Sequence, residues 1–225
     1  MNKIIGFDPG ISGGISVIDK DIIVYSMPII RIKKGKKTKN TYDVVEIVKI
    51  VKKHYTDGTH FAIELVSTRP GEGGVSAFNF GKGFGELIGI CTFASGIAPF
   101  LIFPATWKKH FPDLINSSIK IYRKCKEKIK EDIKSLTKQY NQTKTKEKTL
   151  KKKYKEEIVK LKKDVAKIDR DIKKEAKAQS RRICQYRYPH LADEFKLVKD
   201  DGKSDALLIG LYTRDNFNDL VSKNG

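Results

Sequence analysis

Apolar residues in this chain come first in short dense runs and later in a sparse seam. Residues 2–8, 14–18 and 22–27 are β-branched and apolar, separated by a Gly-rich turn and by Asp19-Lys20-Asp21. Runs of that length, broken by turn residues, predict three strands in hairpin order. Residues 31–40 are basic and predict a mobile loop. Between Tyr42 and His54, apolar residues at Val44, Val45, Ile47, Val48 and Val51 predict a helix, with Thr41 or Asn40 as its N-cap. Residues 61–66 form a short buried strand, and 67–76, with Pro70, a loop. Residues 84–94 are helical, with Gly85 and Gly89 allowing close packing. Residues 99–103 make another strand, and Pro104 opens a helix to Phe111. The order β-β-β-α-β-α-β-α predicts an α/β sheet of mixed strand direction.

Then the pattern changes. From residue 114 to 178 there is no Gly or Pro, and apolar residues recur every three or four positions. One series is Tyr122, Cys125, Ile129, Ile133, Leu136 and Tyr140. A second is Leu150, Tyr154, Ile158, Leu161, Val165, Ile168 and Ile172. Such spacing gives a narrow seam, as in a coiled coil. Residues 141–145 form helix least well, which favours two long helices folded back as a hairpin over one continuous helix pairing with another chain. Too polar to be buried in a sheet core, the segment is expected to form an arm. Beyond it, 178–188 reads as a basic amphipathic helix stopped by Pro189, and 205–212 as a final helix capped by Ser204 or Asp201.

Charge sharpens this division. The 225 residues carry 46 Lys+Arg against 27 Asp+Glu, a net of +19. Segment 114–178 holds 23 basic and 10 acidic residues (23 − 10 = +13), leaving 23 − 17 = +6 for the rest. An excess of that size points to a polyanion such as nucleic acid. The three cysteines are scattered, with no CxxC pair, which supports neither a zinc site nor a disulfide framework. No apolar stretch approaches the roughly 20 residues that span a bilayer, and the start lacks a signal-peptide pattern. The expectation is a soluble intracellular protein with no membrane partner. It would work in the cytoplasm or another nucleic-acid-containing compartment, a viral one included.

Four carboxylates stand where chemistry is plausible. Asp8 ends the first strand at Pro9-Gly10. Glu64 ends Phe61-Ala62-Ile63 and precedes Leu65-Val66, a costly place for a charge that is neither paired nor metal-bound. Asp201 and Asp205 open the last helix, with Asp200 as a rival to Asp201. A turn residue would explain Asp8 alone, and a helix dipole Asp205 alone. Together, their hard oxygens suit Mg2+, with Mn2+ as a substitute. Two such ions can promote an in-line displacement at phosphorus. Lys82, Lys108, Lys109, Arg181 and Arg182 are the cations expected on phosphates, and Lys203 is placed to stabilise a pentavalent phosphorus.

These pieces resemble the RuvC-like Holliday junction resolvases of the RNase H-like superfamily, closest to the phage-type and plastid-type branches. The likeness rests on Gly6-Phe7-Asp8-Pro9-Gly10 with Gly13-Gly14, on Ile63-Glu64, and on Phe80-Gly81-Lys82-Gly83-Phe84-Gly85. It continues in Pro104-Ala105-Thr106-Trp107-Lys108, in Ser180-Arg181-Arg182, and in Lys203-Ser204-Asp205-Ala206-Leu207-Leu208. The resemblance implies an RNase H-like mixed sheet flanked by helices, formed by 1–112 and 178–225, with 113–177 as an inserted basic helical hairpin or coiled coil. It implies an endonuclease that resolves four-way junctions with paired, metal-dependent cuts, using Asp8, Glu64, Asp205 and a fourth acid a few residues earlier. It implies Phe78 and Phe80 near the junction centre, branched DNA as partner, and a homodimer to match the two-fold substrate. Other RNase H-like nucleases acting on flaps, forks or RNA–DNA hybrids, and a non-catalytic nucleic-acid-binding coiled-coil protein, are the alternatives.

Overall fold

The computed structural model describes residues 2–35, 37–66, 73–114, 117–145 and 147–224. They divide into two units: Met1–Pro112 with Ser180–Gly225, and Asp113–Gln179.

The first unit is a mixed α/β structure. Strands β1 (Ile4–Asp8), β2 (Gly14–Ile18), β3 (Ile22–Ser26), β6 (His60–Glu64) and β7 (Phe100–Ile102) form one sheet in the order β3-β2-β1-β6-β7. The first three are antiparallel neighbours, whereas β6 and β7 run parallel to β1. Side chains alternate across a strand, so each strand feeds two layers. Ile5, Phe7, Ile15, Val17, Phe61 and Ile63 pack on one face with Ile47 and Val51 of α1 (Val44–His54) and Leu87 and Cys91 of α2 (Gly74–Ser95). The other face carries Gly6, Ser16 and Ala62 by the same alternation, and is covered by α6 (Asp201–Asp215).

α6 lies very close to the sheet. A Cβ on Gly6 would meet Ala206 O at 2.8 Å and Gly210 Cα at 3.0 Å. Ser16 Oγ donates to Ala206 O at 2.8 Å. Eleven of the fifteen α6 residues are buried, so this helix is a core element. α3 (Pro104–His110) and α7 (Phe217–Asn224) complete the layer.

Several boundaries differ from the sequence expectation. Within the basic stretch 31–40, β4 (Ile29–Lys34) and β5 (Lys37–Tyr42) make a separate two-stranded hairpin. The cap of α1 is Asp43, whose carboxylate accepts the Glu46 N–H at 3.1 Å; neither Thr41 nor Asn40 serves. α2 begins ten residues earlier than the apolar stripe suggested, and absorbs the Gly-rich Phe80–Gly85 motif. Of the expected 67–76 loop, 67–72 lie outside the described residues. The basic helix at 178–188 is the end of a 40-residue helix, α5 (Lys148–Arg187).

In the second unit, α4 (Ser117–Gln142) and the first 32 residues of α5 run antiparallel, since Lys126 pairs with Asp169 and Lys151 lies over the Tyr140 ring, 5.4 Å from its centroid. The seam residues Ile129, Ile133, Leu136, Leu161, Val165 and Ile168 are half-buried, as expected where only two helices share a seam. No described helix is long and apolar enough to cross a membrane.

Candidate functional site

The β1–β6 register decides where the first two acids stand. Phe7 is opposite Ile63 in a parallel pair, so Asp8 and Glu64 end adjacent strands at the same end of the sheet. Adjacent strands are about 4.8 Å apart. By alternation both side chains belong to the α6 face.

The start of α6 is held against this end. Gly13 bridges Gly202, and a Cβ on Gly14 would come within 2.6 Å of Gly202 O. Only glycine permits that approach, and it puts Asp201 beside the β1–β2 turn that follows Asp8. Asp205 is one helical turn further on, on the same side of α6 as Asp201. Its Oδ1 is enclosed. Its charge also reaches Cys184, whose thiol is pushed up first by burial and then by Asp205.

The side chains are held by different partners. Trp107, fully buried, donates its indole N–H to Glu64 Oε1 at 2.8 Å. Lys108, exposed, sits 3.8 Å from the same oxygen, and its ammonium lies 4.8 Å from the Trp107 ring centroid. Arg181 Nε donates to Asp201 Oδ1 at 2.8 Å in a largely buried pair. Among the described residues, no three or more His, Cys, Asp or Glu side chains gather closely enough to hold a metal ion. The fold therefore brings the four acid-bearing segments to one end of the sheet, and gives Glu64 and Asp201 different partners there.

Asp200 and Asp201 have different roles. Asp200 Oδ2 accepts the Leu197 N–H at 2.8 Å, and its Oδ1 lies 3.1 Å from Lys203 Nζ. Lys203 also pairs with Glu194 at 2.9 Å and is 8% exposed. Asp200 is thus used to shape the turn into α6. Lys203, expected beside the phosphorus, is here a buried ammonium shared by Asp200 and Glu194. The other expected cations, Lys82, Lys109 and Arg182, are exposed, and Phe78 is 72% exposed while Phe80 is half-buried.

Two residues at this end were not singled out by sequence as site residues. Trp107, the chain's only tryptophan, orients Glu64; its solitary place before Lys108 was the available signal. Tyr42 accepts the Gly10 N–H at 2.6 Å. Its phenol is pushed up to about 12, chiefly by burial, with Asp8 and Glu86 adding and the Gly10 bond opposing. Tyr42 therefore lies within electrostatic reach of both Asp8 and Glu86. Nothing in its sequence context separates it from an ordinary core tyrosine.

No protein-family model matches this chain, and no curated protein matches it.

Proposed function

We propose that the first unit is an RNase H-like nuclease domain that hydrolyses phosphodiester bonds in branched DNA, with four-way junctions as the substrate. The observation that carries this is the placement of Asp8 and Glu64 at adjacent ends of parallel strands, on the face covered by the helix that bears Asp201 and Asp205. A mixed sheet flanked by helices is the architecture this reading calls for. The net charge of +19 supplies the attraction for a polyphosphate.

The donor chemistry suits Mg2+ or Mn2+, because all four groups are hard carboxylates, which a bound ion would have to draw together from their separate positions. Asp8, Glu64, Asp201 and Asp205 would hold the ions. Divalent cations bound there supply an activated water and offset charge on the phosphorane. Trp107 fixes the rotamer of Glu64 and excludes water from its back. Arg181 offsets the charge of Asp201 and fixes its direction. Lys108, exposed beside Glu64, is positioned to meet the phosphate. Two-fold substrate symmetry is met by a homodimer.

The test is Asp8→Asn with labelled four-way junctions, forks and linear duplex in Mg2+. Wild-type protein should cut junctions in preference to linear duplex, and the variant should bind junctions without cutting. Equal cutting of all three DNAs, or cleavage that survives the substitution, overturns the proposal.

A further inference from the structure

The second unit holds none of the four candidate acids, and carries a continuous line of positive charge. On α5, Lys163, Lys167, Arg170, Lys174 and Lys177 follow one another at alternating spacings of four and three, and all five are exposed. At about 100° and about 1.5 Å per residue, they stay within an arc of about 80° along about 21 Å of helix. The half-buried seam residues Leu161, Val165, Ile168 and Ile172 lie about half a turn away. The acids of this stretch, Asp164, Asp169, Asp171 and Glu175, are half-buried and fall outside the arc, and Asp169 is paired with Lys126.

The outward side of α4 is different. Glu127 and Glu131, both exposed, interrupt it between Lys124 and Lys134, and Glu127 pairs with Lys130 at 2.8 Å. Two lysine-rich helices thus present different surfaces, one continuous and one broken. A solvated basic surface has no need of that difference; a surface that meets a long anion does.

A straight row of cations matches a partner with a straight row of anions. A nucleic-acid duplex is one: it is stiff over far more than the length of α5, with a phosphate charge per roughly 1.7 Å of axis. A single strand fits less well, because single-strand surfaces add aromatic rings on which bases stack, and no residue of this arc is aromatic. Helices that lie on membranes set apolar residues into the lipid beside their cations; on α5 the two lie on opposite sides. We propose that this face of α5 binds the phosphate backbone of double-stranded DNA without reading its sequence. The inference rests on the proposed function only in taking DNA as the polyanion. It gives the arm a task separate from cutting, the holding of duplex of any sequence.

The probe is a labelled linear duplex, titrated with full-length protein in EDTA across a salt series and read by fluorescence anisotropy. Lys163→Gln/Lys167→Gln/Arg170→Gln/Lys174→Gln should weaken binding by about tenfold or more at moderate salt, and should reduce the slope of log K against log salt by about 3–4. The matched set on α4, Lys124→Gln/Lys128→Gln/Lys134→Gln/Lys138→Gln, removes the same charge and should cost about threefold or less. Circular dichroism checks the helix content of both. If the fourfold α5 variant loses helix, Lys167→Gln/Lys174→Gln carries the test, with a slope change of about 2. Single-stranded DNA, a duplex RNA of the same sequence and anionic lipid vesicles are the comparison ligands.

An unchanged slope would overturn the proposal, and so would equal losses from the α4 and α5 sets, which would reduce the effect to net charge. Tighter binding of the single strand or of the duplex RNA would also overturn it. So would vesicle binding that depends on the α5 residues while duplex binding does not. If the α5 set behaves as expected but no DNA is ever cut, the nuclease reading falls and the α5 surface stands. If junctions are cut and the α5 set changes nothing, the α5 surface alone falls.

Discussion

Trp107 and Glu64 are joined by a 2.8 Å hydrogen bond between a fully buried indole and a carboxylate at the end of a central strand. The indole has one N–H and no acceptor, so the bond fixes which way Glu64 Oε1 points. Trp107→Phe keeps most of the packing and removes the donor. It should cost about 1–3 kcal/mol in urea unfolding. The concentration of Mg2+ needed for half-maximal cleavage should rise, while junction binding in EDTA stays as it was. An unchanged metal requirement would show that Trp107 only packs.

Arg181 plays the corresponding part for Asp201. Removing one member of a largely buried pair takes a counterion from the other charge, at a cost of up to about 3–5 kcal/mol. Arg181→Met should therefore lower thermal stability. Mg2+ or Mn2+ should restore more of it than in wild type, because ligands that bind the native state stabilise by mass action. Thermal melts across a metal titration read this directly. If neither ion rescues the variant preferentially, Asp201 is not a metal ligand.

Glycines on the two sides of the sheet should respond oppositely. At Gly14, an added Cβ falls 2.6 Å from the Gly202 carbonyl oxygen, and backbone cannot step aside cheaply. Gly14→Ala should cost about 1–3 kcal/mol and impair cleavage by displacing the start of α6. At Gly85, inside α2, a Cβ meets nothing within 4 Å. Gly85→Ala should leave the site alone and raise stability by about 0.5–1 kcal/mol. Chemical denaturation of both variants tests the pair.

Stability should fall at both ends of the pH scale. His54 and His60 are held below 6.5, both chiefly by burial, with Lys53 and Lys3 adding at His54. Their neutral forms are favoured in the folded chain. That stability is present above pH 6.5 and is lost on acidification, as the unfolded chain takes up protons that the folded chain resists. Tyr42 is raised to about 12, so its contribution is complete below pH 10 and is lost as pH climbs toward 12. The loss is about 2–3 kcal/mol. Tyr42→Phe should flatten the alkaline limb and His60→Phe the acidic one in unfolding curves taken across pH.

Strands β1, β2, β3 and β6 were legible in sequence because each is a dense apolar run; β1, β2 and β6 are buried on both faces, and β3, at the sheet edge, only in part. α1 was legible because Ile47 and Val51 repeat at helical spacing. The β4–β5 hairpin was not, since Arg31, Lys33 and Lys39 stay in water and Ile29, Ile30 and Ile32 are each more than 40% exposed; pairing defines it, with Tyr42 at its end reaching the core. The first ten residues of α2 were hidden by glycines that disfavour helix. For the site, the spacing of the acids pointed to strand ends and a helix start. Side-chain direction was out of reach: that Asp200 turns back to Leu197 while Asp201 meets Arg181 depends on the turn geometry before α6, and so does the enclosure of Lys203.

α6 also has a consequence for how the chain is made. About a hundred residues separate β7 from the helix that covers the sheet. At the roughly 5–20 residues per second of protein synthesis, they take about 5–20 s to emerge. Throughout that interval the nascent chain carries Asp8 and Glu64 on a half-dressed sheet, with its Gly6 and Ser16 face open to chaperones or to aggregation. Two of the four acids have not yet been translated. The order of the segments thus acts as a timer: the four acids come together only after the basic arm has been built.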